Sequence, residues 1–287
     1  TDMGLLKIAP TGWETFNVSN STIPSNNVRS VTTDSEGNVW IGTWGQGIAS
    51  KEGNSWTVYD MSNSDLPSNG VFTVELDELG VVWVGMFNGG VSKFNGVSWQ
   101  NFNTSNSDLP HNHVRTIAFD QNHITWFGTD DGVARKTPGG HWDVHTAETI
   151  GYSFHTVFAN VVKSPGVVYF GTDGGILQFV NSTFSMITAQ NSNLPSNNIR
   201  SLALDVDGNL WVGTGNDGLS IYNPQGTLDI KEPLKGAGAI TVYPNPTRDD
   251  LDFLLPLKNG DDAQLTVFNA IGQTVLSKTL AADGVTQ

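Results

Sequence analysis

The sequence predicts an all-β chain: a β-propeller of about five four-stranded blades, followed by a small β-sandwich-like module. Three observations carry that expectation. Trp13, Trp56, Trp99, Trp142 and Phe184 recur at steps of 43, 43, 43 and 42 residues, and Trp40, Trp83, Trp126, Tyr169 and Trp211 keep the same steps. A glycine recurs with them, at Gly4, Gly47, Gly90, Gly132, Gly175 and Gly218. A period of about 40–45 residues, with several short strands per unit, is the spacing of propeller blades. The composition agrees, because 32 Gly among 287 residues suit a β protein with many tight turns.

Each unit reads as four strands in order. The first, VRSVTTD in unit one, alternates and is β-branched. A Gly-containing turn such as SEGN joins it to the second strand, VWIGT. A Gly-rich loop, WGQG, leads to the third, IASK, and SWTVYD is the fourth. Loops such as SNSDLPSNG run on to the next unit, and their proline suits a connection outside a ladder. A lone four-stranded sheet cannot bury both faces, so the repeated Trp, Val and Leu are expected to pack sheet against sheet.

The ends fit less evenly. Residues 4–8, GLLKI, match a third strand and 13–17, WETFN, a fourth. Unit five has strands one to three, so WETFN is placed to complete it and close the ring, leaving GLLKI as an extra strand. The expected division is a propeller over 1–222, a Pro- and Gly-containing linker over 223–238, and a β module over 239–287. In that module LDFLLPL, QLTVFN and QTVLSKT read as strands and NAIGQ as a turn.

Charge and composition exclude several classes. The formal net charge is -14, with only 14 Lys+Arg, which argues against binding to nucleic-acid phosphates or to an anionic membrane surface. There is no cysteine, so disulfides and thiolate metal sites are out. No apolar run is long enough for a membrane-spanning helix. The first ten residues show no basic region followed by an apolar core, so the chain reads as a mature form. There is no phosphate loop, no H-E-x-x-H and no G-x-S-x-G, and no cofactor is expected.

Propeller loops between strands two and three share a face with the connections between blades, and that face is the expected binding surface. The first set offers Trp44, Gln46, Phe87, Asn88, Asp130, Asp131, Asp173, Asn216 and Asp217. Aromatics beside amides and carboxylates suit a sugar, whose apolar face stacks while its hydroxyls hydrogen-bond. The residue after the first Val or Ile of strand one is Arg29, Phe72, Arg115, Phe158 and Arg200 in turn. Arginines on the innermost strand could hold an anion at the axial mouth. The structural alternative is ion pairing between blades, because Asp34, Asp120 and Asp205 each follow an arginine by five residues. That alternative is favoured here.

The six histidines fall in units three and four. In HNH, His111 and His113 share a side if extended and could share a metal, whereas His141 and His145 of HWDVH would lie about 13 Å apart on a strand. Surface histidines are the preferred reading, and no metal is expected. The stretch DVDGNLW has the look of a calcium loop, but it lacks the twelfth-position Glu and flanking helices, so it reads as a hairpin turn.

Two resemblances add to this. The pattern DxxGNxWxGTxxGG(I/L), with LPSNxVR upstream, resembles the two-component-regulator propeller repeat of Bacteroidetes over about residues 4–222. Unit four departs most, lacking the Leu-Pro loop and the Asp. VYPNPTRDDLDF followed by VFNAIGQTV resembles part of the sorting domain of the type IX secretion system, without its usual final strands. That resemblance implies export across the bacterial outer membrane, to the medium or the cell surface, through the type IX machinery.

The expected function is therefore a secreted or cell-surface, non-catalytic propeller that binds a glycan or a protein. Its ligand-binding residues would be Arg29, Arg115, Arg200, Trp44, Phe87, Asp130, His113 and His155. The alternative is a lyase or glycoside hydrolase of an anionic polysaccharide, working through Arg29, Arg115, Arg200, His113 and His155.

Overall fold

The computed structural model describes residues 2–10, 12–222, 241–243, 252–254, 262–268 and 274–281. A first hairpin joins β1 (Leu5–Ala9) to β2 (Gly12–Phe16). Unit one is β3 (Val28–Thr33), β4 (Val39–Thr43), β5 (Ile48–Glu52) and β6 (Ser55–Tyr59). Unit two is β7 (Val71–Leu76), β8 (Val82–Met86), β9 (Val91–Phe94) and β10 (Trp99–Phe102). Unit three is β11 (Val114–Phe119), β12 (Thr125–Thr129), β13 (Gly132–Lys136) and β14 (Trp142–His145), followed by the single turn α1 (Ala147–Ile150). Unit four is β15 (Val157–Ser164), β16 (Val167–Thr172), β17 (Ile176–Val180) and β18 (Thr183–Ile187). Unit five is β19 (Ile199–Leu204), β20 (Leu210–Thr214) and β21 (Leu219–Tyr222). Units one to four are four-stranded antiparallel sheets in chain order, and unit five has three strands. The innermost strands follow one another, β3 beside β7, then β11, β15 and β19.

The ring does not close through WETFN. Its strand β2 pairs with β1, in register from Leu5↔Phe16 to Ala9↔Gly12, and no described strand pairs with the outer edge of β21. Only two residues separate β1 from β2, so this pairing closes a far shorter loop than one with unit five. The face that would meet another sheet carries Trp13, which is 69% exposed, although its counterparts Trp56, Trp99, Trp142 and Phe184 are all partly buried.

Each sheet packs on the next through the repeated apolar positions. Trp40 and Tyr59 of unit one meet Phe94 and Trp99 of unit two, with Trp40 and Tyr59 stacked at 5.9 Å. Trp83 of unit two meets Phe127 and Phe119 of unit three, and Trp126 meets Phe170 and Phe179 of unit four. The glycine of strand two permits this approach. A Cβ on Gly85 would lie 2.6 Å from the carbonyl oxygen of Val114 in the next innermost strand.

The connecting loops anchor the sheets. Leu66, Leu109 and Leu194 of the Leu-Pro loops are each buried between sheets, and Ile23 does the same before unit one. Each loop is tied by its own polar side chains: Ser64 Oγ donates to Asp60 O, and Asn63 Nδ2 to Val58 O. Unit four lacks this loop and instead buries Phe154 after α1.

In the tail, β22 (Thr241–Tyr243) pairs with β23 (Asp252–Leu254), and β24 (Asp262–Phe268) with β25 (Thr274–Ala281). The chain divides into units Thr1–Leu228 and Asp229–Gln287. The linker, the YPNP motif beyond Tyr243 and the NAIGQ turn beyond Phe268 lie outside the described residues.

Candidate functional site

Every innermost strand carries the same irregularity near its start. The register slips between Val28 and Ser30, Val71 and Thr73, Val114 and Thr116, Val157 and Ala159, and Ile199 and Ser201. The skipped residues are Arg29, Phe72, Arg115, Phe158 and Arg200. A β-bulge leaves one residue unpaired and re-aims its side chain. The five bulges thus free the five residues at one end of the innermost strands.

These side chains stack in alternation. The Arg115 guanidinium lies 4.6 Å from the Phe72 ring centre and 5.6 Å from that of Phe158. The Arg200 guanidinium lies 3.9 Å from the Phe158 ring centre, and that of Arg29 lies 5.3 Å from the Trp44 ring centre. A cation over an aromatic face is attracted by the ring quadrupole. From Phe72 to Arg200 the Arg/Phe alternation at this repeat position is therefore a cation–π series, and Arg29 stacks instead on Trp44 of the adjoining loop.

The first residue of each strand-two-to-three loop sits above this series: Trp44, Phe87, Asp130, Asp173 and Gly215. Their backbone N–H groups donate to the residue preceding the innermost strand, at 3.0 Å for Trp44 to Asn27 and 3.2 Å for Asp130 to His113. Trp44 lies 5.3 Å from Phe87 and 5.4 Å from Phe72, and Phe72 lies 6.0 Å from Phe87. Trp44 and Phe87 are each 37% exposed, which leaves an accessible aromatic shelf. The His113 ring stacks on Phe87 at 4.2 Å.

Unit three supplies the charged part. His113 Nδ1 lies 2.8 Å from Asp130 Oδ2, and its Nε2 lies 2.7 Å from Asn88 Oδ1. Arg115 Nε donates to Asp130 Oδ1, and its Nη2 to Oδ2 at 3.0 Å. Burial alone would raise the Asp130 carboxyl. The hydrogen bonds from Arg115 and His113 outweigh it and hold the group below the usual carboxylate range.

The expected inter-blade ion pairs are not made. Arg115 pairs with Asp130 of its own unit, whereas Asp34, Asp120 and Asp205 cap the hairpin turns. Asp205 Oδ1, for example, accepts from the N–H of Asp207 at 3.0 Å and of Asn209 at 2.8 Å. The same capping makes DVDGNLW a hairpin turn. Arg29 and Arg200 have no carboxylate at ion-pair distance among the described residues. Beside Arg200, Asn198 Oδ1 is shielded from solvent and accepts no hydrogen bond.

Of the eight nominated residues, Trp44, Phe87, His113, Asp130 and Arg115 are linked through direct contacts or through Phe72. Arg29 joins at Trp44, and Arg200 joins through Phe158. His155 stays apart: its side chain is 82% exposed, and its Nδ1 lies 3.7 Å from Asp173 Oδ2. Phe72, Phe158 and Asn198 belong to the cluster without having been nominated. The signal for the two phenylalanines was present, as the non-Arg members of one repeat position.

His111, His113 and Asp130 bring ligand-type atoms within 4.8 Å of one another. Their lone pairs are already engaged, since His111 Nδ1 accepts the His113 N–H at 2.9 Å and Asp130 accepts from Arg115. His141 and His145 do not join them. His141 Nε2 lies 3.1 Å from Asp143 Oδ1, and His145 packs on Phe184.

The two component regulator propeller family matches at residues 22–45, 108–131 and 193–216. These three segments are the ones that contain Arg29, Arg115 and Arg200. No curated protein matches the chain. Among solved structures, the extracellular domain of BT4673 from B. thetaiotaomicron, described as a hybrid two component system, is 18% identical with a TM-score of 0.61, covering 92% of this chain and 33% of its own. PorZ, a surface component of the type-IX secretion system of Porphyromonas gingivalis, is 21% identical with a TM-score of 0.64, covering 96% and 43%. Virginiamycin B lyase from Staphylococcus aureus is 15% identical with a TM-score of 0.56, covering 90% and 85%. The chain thus spans well under two thirds of the first two structures, and at these identities all three likenesses concern the fold. The chain has a β-propeller fold, and three of its segments match the two component regulator propeller repeat.

Proposed function

We propose that the chain is an extracellular, non-catalytic propeller module that binds an anionic glycan at the mouth lined by Trp44, Phe72 and Phe87. One observation carries this reading. A partly exposed aromatic shelf lies beside Arg29, 5.3 Å from the Trp44 ring centre, and neither Arg29 nor Arg200, which stacks on Phe158 farther along the same end of the strands, has a carboxylate partner within the described residues. The shelf suits the apolar face of a sugar ring, and a guanidinium suits a carboxylate or sulfate in two-point contact. Asp130 is less suited to an incoming ligand, because Arg115 and His113 already occupy it.

A glycan array followed by titration of the best binder tests the proposal. Binding is expected to favour acidic over neutral oligosaccharides and to weaken about tenfold or more in Trp44→Ala and in Arg200→Ala. Unchanged affinity in both variants would remove the site. Binding of proteins alone in a pull-down would favour the protein-ligand form of the reading.

The catalytic alternative has one observation in its favour: His113 sits between Asp130 and Asn88 at the edge of the shelf. Asp130 orients Nδ1, so Nε2 is the nitrogen that would exchange a proton with a substrate displacing Asn88, and virginiamycin B lyase has a similar fold. Loss of polysaccharide cleavage in His113→Ala would support it. We further propose, from the resemblance of residues 239–287 alone, that the tail directs export through the type IX machinery. Secretion of a fusion carrying the tail of the full-length protein would test that.

A further inference from the structure

A second feature lies at the other end of the strands from the mouth. The strand-one-to-two hairpins of units two and three and the turn after β13 enclose a cleft of about 370 Å³. The repeat provides its own control for what is unusual there. Asp34, Asp77, Asp120 and Asp205 occupy one repeat position, and in each Oδ1 accepts two backbone N–H groups of the turn. Their second oxygens differ. Asp34 Oδ2 accepts from Asn38 at 2.9 Å, Asp77 Oδ2 from Trp83 Nε1 at 3.0 Å, and Asp205 Oδ2 from Trp211 Nε1 at 3.0 Å.

Asp120 Oδ2 accepts nothing, although Asp120 is only 3% exposed. Its counterpart donor makes no bond to it: Trp126 packs against Phe179 at 4.9 Å, and its own Nε1 is unpaired. A shielded carboxylate oxygen without a donor is costly. Two lysines line the same cleft, and neither makes an ion pair or a hydrogen bond within the described residues. Lys93 lies 5.0 Å from the Trp83 ring centre and Lys136 lies 5.6 Å from that of Phe102, and these two rings stack at 12°. Burial, and then the charge of Lys93, hold Lys136 below the usual lysine range, which an anion between the two would reverse.

Asp77 and Glu78 line the cleft as well, but Asp77 is taken up by its own turn and by Trp83, and Glu78 lies 3.5 Å from His123; what remains are two ammonium groups without an ion pair and one acceptor that needs a donor. A simple anion satisfies only the lysines, and a neutral sugar satisfies only Asp120. We propose that the cleft binds one residue of a hydroxylated anion of the sugar-acid class, with its acid group between Lys93 and Lys136 and a hydroxyl donating to Asp120 Oδ2. This site is separate from the mouth and stands or falls independently of it.

Lysine acetylation read by mass spectrometry localises binding to the cleft. D-glucuronate is the probe, with D-glucose and inorganic sulfate as the two halves of its chemistry. Glucuronate is expected to protect Lys93 and Lys136, while Lys163, whose Nζ donates to Gly208 O, reacts as before. Glucose and sulfate should each need about tenfold higher concentration for the same protection. Asp120→Asn keeps an oxygen for the turn but loses the charged acceptor, and should raise the half-protection concentration of glucuronate about tenfold. Lys93→Met/Lys136→Met, which keeps the apolar stems, should lower the heat of glucuronate binding in a parallel titration. No protection, protection of Lys163 to the same degree, equal protection by glucose or sulfate, or an unchanged Asp120→Asn would each overturn the assignment.

Discussion

Glu75 shows how one partly buried carboxyl sets a pH dependence. It lies on β7 opposite Trp83, with Thr73 Oγ1 at 3.4 Å from its Oε1. Burial raises its pKa from 4.5 to about 7, against the smaller effect of the Thr73 hydrogen bond. The folded state therefore holds this proton more tightly than the unfolded chain. Stability from the protonated group is fully present below pH 4.5 and is lost as pH rises through 7. The difference corresponds to about 3 kcal/mol above that range. Glu75→Gln is expected to be more stable than the parent by about 2–3 kcal/mol at pH 8 and nearly equal at pH 4.5, by urea unfolding at each pH. Equal stability at pH 8 would place Glu75 in water rather than in the sheet interface.

Asp130 works in the opposite direction, because its folded pKa is lowered. Its contribution is present above the usual carboxylate range and is lost as the pH falls through the lowered value. Asp130→Asn removes the charge that neutralises partly buried Arg115 and should cost about 1–3 kcal/mol at pH 7. A shift smaller than about 0.5 kcal/mol in a denaturant midpoint analysis would show that solvent already screens the pair.

At the scale of elements, the hairpins, the Gly-rich loops and the Leu-Pro connections between units were legible in the sequence, whereas the burial of the loop leucines between sheets came from the structure. Period-two alternation and Leu-Pro spacing report local patterns, and those patterns are what pair neighbouring strands. The bulge was not legible. It adds one residue to a strand without changing its composition, so the repeat position of Arg29, Phe72 and Arg115 pointed to the axial mouth through its innermost strand but not to the irregularity that frees these side chains. Their alternation was visible, but its meaning as a cation–π series needed the bulge geometry. The ring closure was misread for a related reason: a match to strand four does not name its partner, and a two-residue separation decided in favour of β1. Two variants test the element-level account by unfolding. Leu109→Ala should cost about 2–5 kcal/mol through the cavity it leaves between sheets two and three. Gly85→Ala should cost about 1–3 kcal/mol, because its Cβ would meet the Val114 carbonyl oxygen at 2.6 Å, and backbone cannot yield as a side chain can. A neutral Gly85→Ala would mean that units two and three slide freely.

For the propeller unit, the repeat explains both what is uniform and what is not. Every unit builds the same first three strands and the same bulge, although unit five shows only three strands among the described residues and unit four lacks the Leu-Pro loop, so the units differ mainly in the side chains placed at the two ends of the strands. At one end units one and two supply Trp44, Phe72 and Phe87, unit three supplies His113, Arg115 and Asp130, and unit five supplies Arg200. The residues of this mouth could be nominated from the sequence because they recur at fixed repeat positions. His155 could not be excluded that way, since only the fold shows it directed to solvent. The central claim is that the mouth holds an anionic glycan between the aromatic shelf and the unpaired arginines. The most direct test is the electron density of crystals soaked with mixed acidic and neutral oligosaccharides. The account predicts a sugar ring on Trp44 or Phe87 with its acid group at Arg29 or Arg200. A mouth without bound sugar, in crystals whose acidic oligosaccharide is bound elsewhere, would contradict it.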